Sequence, residues 1–196
     1  RDRHLSLSRQ RQMCIRDSYN SGTGSRAGHV RVYELNPSET SWNQIGEDID
    51  GEAENDRSGF SVSINSEGTR VAIGAFLNDA SDGTVTDAGH VRVYELDPSE
   101  TSWNQIGEDI EGEAANDKSG YSVSINSDGT RVAIGAYLND GTASDAGHVR
   151  VYDWDGVSWI QIGEDIDGEA ENDKSGLSVS ISGCLLYTSP SPRDRG

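Results

Sequence analysis

Apolar and polar residues alternate along this chain in short runs, and the runs recur. Phe60, Val62 and Ile64 alternate with Ser61 and Ser63, and the same pattern returns over Ser119–Ile125 and Ser175–Ile181. A two-residue period is that of a strand with one face buried. A second strand is predicted at Arg70–Ala75 and its copy Arg131–Ala136, with Val71 and Ile73 on one face and small residues elsewhere. Small side chains suit a strand that another backbone approaches closely. A third is predicted at His29–Tyr33, His90–Tyr94 and His148–Tyr152, where the two Val face one way and His, Arg and Tyr the other. A fourth is predicted at Trp42–Gly46, Trp103–Gly107 and Trp159–Gly163.

The connections carry turn chemistry. Asn65–Thr69 and Asn126–Thr130 each hold a Gly suited to a tight hairpin. Gly28-His29-Val30-Arg31-Val32-Tyr33 recurs from Gly89 and from Gly147, at offsets of 61 and 58 residues. The length difference falls between strands two and three, where a surface loop tolerates it. No stretch shows helical periodicity with caps. The pattern predicts an all-β chain of four-stranded antiparallel sheets, one per repeat. Neither face of such a sheet is covered by its own repeat, so neighbouring copies must stack. An incomplete β-propeller of about two and a half blades satisfies this; an open β-solenoid is the alternative architecture.

The ends read differently. Met13–Ser18 and Cys184–Ser189 back-translate to nearly complementary DNA strands, as translated sequencing-library adapters would. Residues 1–18 and 183–196 are therefore set aside as adapter-derived and expected to be disordered. The repeat region is 19–182, divided into a partial copy 19–57, full copies 58–118 and 119–174, and a partial copy 175–182. The whole chain carries 16 Lys and Arg against 34 Asp and Glu, a net charge of −18. Within 19–182 the counts are 9 and 31, a net charge of −22. That balance excludes nucleic acid as a partner, because phosphates need cationic side chains. It also disfavours anionic membranes, and no apolar run is long enough for insertion. Both cysteines, Cys14 and Cys184, lie in the excluded ends, so no disulfide framework is expected.

The motifs Ser-Gly-x-Ser-Val-Ser-Ile, Asp-Gly-Thr-Arg-Val-Ala-Ile-Gly-Ala and Ala-Gly-His-Val-Arg-Val-Tyr, in this order, resemble the FG-GAP repeat. The likeness covers residues 19–182. The name-giving letters have drifted: Phe-Gly is Ser58-Gly59, Ser119-Gly120 and Ser175-Gly176, and Gly-Ala-Pro is Gly74-Ala75-Phe76 and Gly135-Ala136-Tyr137. Such repeats build the propeller of integrin alpha chains and of secreted bacterial and algal proteins. The resemblance implies an extracellular or cell-surface adhesion or binding module, with a protein or glycan ligand and the remaining blades of a longer chain as partners. It also implies a calcium loop between strands one and two. Here that loop is only Asn126–Gly129, too short and too poor in carboxylates to serve.

The candidate chemistry lies instead in an acidic stretch after strand four, read as a loop. Asp48, Asp50, Glu52 and Asp56 recur as Asp109, Glu111, Glu113 and Asp117, and as Asp165, Asp167, Glu169 and Asp173. Hard oxygen donors at alternate positions are what calcium requires. The alternative is a solvated acidic loop in which Asp56 caps a turn. His29, His90 and His148 are expected as cross-strand partners on a sheet face. Trp42, Trp103 and Trp159 are expected to pack between sheets, and Trp154 within its hairpin. No nucleophile elbow, phosphate loop or zinc helix is found. A non-enzymatic binding module is the expected function. The alternatives are a fragment of a secreted carbohydrate-active propeller enzyme and a calcium-stabilised structural repeat.

Overall fold

The computed structural model describes residues 12–17, 19–20, 23–79 and 85–182. It contains thirteen strands and no helix among these residues. The first sheet holds β1 (Gln12–Asp17), β2 (His29–Leu35) and β3 (Trp42–Asp50), paired in that order. The second follows the chain through β4 (Ser61–Ile64), β5 (Arg70–Ala75), β6 (His90–Leu96) and β7 (Trp103–Gln105), with β8 (Ile110–Glu111) returning to β6. The third repeats this with β9 (Ser122–Ile125), β10 (Arg131–Ala136), β11 (His148–Trp154), β12 (Trp159–Gln161) and β13 (Ile166–Asp167). All ladders within the three sheets are antiparallel.

The sheets stack in chain order, and the alternation along each strand decides which neighbour a residue meets. Val71, Ile73 and Tyr94 of the second sheet pack against Val30 and Ile49 of the first. The opposite face, with Ala72, Val91, Val93 and Ile110, packs against Val123, Ile125, Val132, Ile134 and Tyr152 of the third. Burying one such aliphatic side chain stabilises by about 1.5–3 kcal/mol, so each seam is a core in its own right.

Backbones meet at the seams as well. A Cβ on Gly74 would lie 2.1 Å from the Gly120 carbonyl oxygen, and one on Gly135 would lie 2.0 Å from that of Gly176. The same two carbonyls accept hydrogen bonds from Ser61 Oγ and Ser122 Oγ, each at 2.7 Å. Ser119-Gly120 and Ser175-Gly176 thus each dock into a glycine notch on the sheet before, whereas the first sheet has Arg16 at that ladder position. Trp103 and Trp159 also reach back, donating through Nε1 to the carbonyls of Ile45 and Ile106 at 3.0 Å. Trp154 packs on Trp159, with ring centroids 5.2 Å apart.

Three expectations need correction. Residues 12–17, expected to be disordered, form β1 and pair with β2 in the register that β5 uses on β6. The open edge of β2 offers unpaired amides and carbonyls that any proline-free extended segment can satisfy. The remaining residues expected to be disordered, apart from 12–17, lie outside the described residues. Second, the acidic stretch is not all loop. After Gly46, at φ +70°, the ladder shifts register and resumes with Val30 opposite Ile49 and His29 opposite Asp50. A glycine-centred bulge lets the strand turn and continue. Asp48 and Asp50 therefore lie on β3, Glu111 on β8 and Asp167 on β13. Third, Ser175–Ile181 is not a strand. β4 and β9 each pair only with the second strand of their own repeat, and 175–182 has no such partner among the described residues.

Candidate metal centres between the sheets

Stacking brings together acidic residues from different repeats and adds a histidine that the spacing did not suggest. One group is Glu52, His90 and Asp109; the other is Glu113, His148 and Asp165. Within each group the potential donor atoms lie within 4.8 Å of one another. Glu52 follows β3 of the first sheet, while His90 opens β6 and Asp109 precedes β8 in the second. The second group bridges the second and third sheets in the same way.

Each side chain is held in place. His90 and His148 are buried, at 1% exposure. Gln105 Nε2 donates to Asp109 Oδ1 at 2.7 Å, which leaves Oδ2 facing His90 Nδ1 at 3.4 Å. Gln161 Nε2 holds Asp165 Oδ1 at 2.6 Å, and Oδ2 again stands 3.4 Å from His148 Nδ1. Arg92 Nη1 lies 3.1 Å from Glu52 Oε1, and Arg150 Nη1 lies 3.3 Å from Glu113 Oε1. Both arginines are anchored by Nη2, which donates to the carbonyl of Asp50 or of Glu111. Glu113 Oε2 is directed at His148 Nδ1, 4.0 Å away.

Burial pushes the His90 imidazole down to about 4, against the pull of Asp109, with Arg92 adding to the fall. Burial also lowers His148, and Arg150 reinforces it. Burial thus favours the neutral form of both rings. The Glu52 carboxyl is raised, first by desolvation, with Arg92 opposing and neighbouring acids adding to it. Each site thus couples a neutral ring to carboxylates that a cation would relieve.

The other acidic residues divide. Asp56 and Asp117 are buried caps, not members of either group. Asp56 Oδ2 accepts from Ala53 N and Asn78 Nδ2, and Asp117 Oδ2 from Ala114 N and Asn139 Nδ2. Asp173 is exposed and accepts from Ala170 N at 2.8 Å. Asp48 accepts from Gln44 Nε2 at 2.7 Å, and Asp50, Asp167 and Glu169 are exposed. Glu111 lines a shallow cleft across the second seam, with Glu108 on its own sheet and Tyr152, Ser158 and Trp159 on the next.

Pairing across repeats was the signal that periodicity missed. His90 and Asp109 lie within one copy, but Glu52 comes from the copy before. The recurrent Gln-x-x-x-Asp spacing at Gln44, Gln105 and Gln161 was visible, and it marks which Asp is oriented.

These features define a repeat protein whose polar sites form between sheets. Residues 111–152 match the FG-GAP repeat. The fold is similar to the crystal structure of a candidate 6-phosphogluconolactonase from Bacteroides fragilis. That likeness has a TM-score of 0.50 and 10% identity, and covers 76% of this chain and 35% of the other. A counterpart from Bacteroides uniformis gives a TM-score of 0.44 and 14% identity, over 80% and 40%. The chain thus spans less than half the length of either structure, and at these identities the likeness concerns fold alone. No curated protein matches the sequence.

Proposed function

We propose that this chain is a section of a propeller-type, non-catalytic binding module that works outside the cell or at its surface. The FG-GAP match over residues 111–152 supports the architecture. The observation that carries the ligand class is the cleft across the second seam. There the half-buried ring of Trp159 stands beside the exposed carboxylate of Glu108, with Glu111 and the buried Tyr152 also in the lining. Aromatic faces stack on the apolar face of a sugar ring, and carboxylates accept from its hydroxyls. A glycan, free or on a glycoprotein, fits this chemistry better than an anionic polymer does.

The repeated character of the polar groups favours binding over turnover. Gln44–Asp48, Gln105–Asp109 and Gln161–Asp165 are the same device in three copies. Catalysis instead requires groups with divided roles at one point. The test is an array of neutral and cationic glycans probed with the intact chain and with Glu108→Gln, which alters an exposed side chain. Saturable binding that weakens about tenfold, for one charged hydrogen bond, is expected. Equal binding by both proteins, or hydrolysis of the bound glycan, would remove this reading.

A further inference from the structure

We infer that each seam between sheets is a binding site for a divalent transition-metal ion of the zinc class. Its ligands are Glu52, His90 and Asp109 at the first seam, and Glu113, His148 and Asp165 at the second.

The inference rests on more than clustered acids. His90 Nδ1 is buried, has no hydrogen-bond partner, and points at Asp109 Oδ2 across 3.4 Å. That separation is too long for a good N–H···O bond. If Nδ1 carries no proton, its lone pair faces a carboxylate. Either state leaves a buried polar atom poorly satisfied, which is costly and uncommon. A cation between the two atoms satisfies both. Donors about 2.1 Å from one ion lie roughly 3.4 Å apart in a tetrahedral site. The His90–Asp109 and His148–Asp165 separations have that value, and Glu113 Oε2 needs to close only slightly from 4.0 Å.

The donor set selects the ion. One neutral imidazole with two carboxylates suits zinc and its neighbours, whereas calcium takes oxygen donors alone. The fourth position is left to water. The outer bonds are those a metal site needs. Gln105 and Gln161 occupy one oxygen of each Asp, Arg150 one oxygen of Glu113 and Arg92 one of Glu52. Such partners fix ligand orientation before the ion arrives. Each ion joins two sheets, so binding to the folded stack stabilises the seam.

The test uses the full 196-residue chain, stripped with a chelator and titrated with Zn²⁺. Two equivalents should bind, and the melting temperature should rise by roughly 5 °C or more at saturation. The same concentration of Ca²⁺ should leave it unchanged. Asp109→Asn retains the oxygen held by Gln105 and should reduce the stoichiometry from two to one. Asp165→Asn should do the same at the other seam, and the double variant should bind none. If Asp109→Asn does not fold, Glu52→Gln changes an exposed side chain at the same seam and should also give one equivalent. Bound Co²⁺ should show visible bands without the near-ultraviolet band of a thiolate ligand. Two equivalents retained in the double variant, no shift with Zn²⁺, an equal shift with Ca²⁺, or a thiolate band would each overturn the proposal.

Discussion

The second and third sheets share nearly the same sequence and differ in what covers them. Ile110 on β8 is 6% exposed, whereas Ile166, at the same place on β13, is 58% exposed. Asp117 is buried and holds Asn139, while Asp173 is exposed. A Cβ on Gly107 would meet Trp154 and Trp159 within 3 Å, but one on Gly163 meets nothing within 4 Å. Local sequence sets the backbone, since both glycines sit near φ +70°. The environment of these three positions is set by the repeat that follows. A buried polar group in this chain is therefore a property of a seam, not of a motif.

The sharpest way to break the comparison is at the notch. Gly74→Val places a branched side chain against the Gly120 backbone, which cannot retreat without moving the third sheet. We expect a loss of about 3 kcal/mol or more in urea denaturation, at the upper end for overpacking. Next comes the buried cap. Asp117→Ala leaves Ala114 N and Asn139 Nδ2 without their acceptor and should cost about 2–3 kcal/mol. Asp173→Ala at the exposed copy should cost about 1 kcal/mol or less, as a simple turn cap does. Equal losses at the two positions would show that the cap works within its own loop and that the seam adds nothing.

A finer comparison pairs the two bulge glycines. Gly163→Ala should cost about 1 kcal/mol for the left-handed backbone alone. Gly107→Ala should cost roughly 1–3 kcal/mol more because the Trp rings must shift. Matching melting curves for the pair would deny the Trp contact its role. The smallest effect is expected for Asp153→Asn, on the third sheet. Arg131 Nη2 donates to Asp153 Oδ2 at 2.7 Å, but both side chains are more than a third exposed. Its removal should change stability by about 1 kcal/mol or less, and less still at high salt.

The strand pattern was legible because period-two alternation needs no tertiary knowledge. Val91 and Val93 face one neighbour, and His90, Arg92 and Tyr94 face the other, as the alternation implies. The continuation of β3 through Asp48 and Asp50 was also present in the letters, since Ile49 stands between acids as a single inward residue. Glycine at position 46 disguised it by reading as a stop. The partnership of Glu52 with His90 was not legible, because it depends on how one sheet is rotated over the next. The strand formed by Gln12–Asp17 was hidden for a related reason. Its place comes from the edge of β2, while Met13 and Ile15 lie on the face opposite Cys14, away from the second sheet, and are more than a third exposed.

The docking of Ser119-Gly120 and Ser175-Gly176 into the glycine of the preceding sheet has a genetic corollary. A unit that carries both the socket for its successor and the plug for its predecessor can be copied in tandem without redesign. The near-identity of neighbours such as 107–120 and 163–176 is what such interchangeable units require.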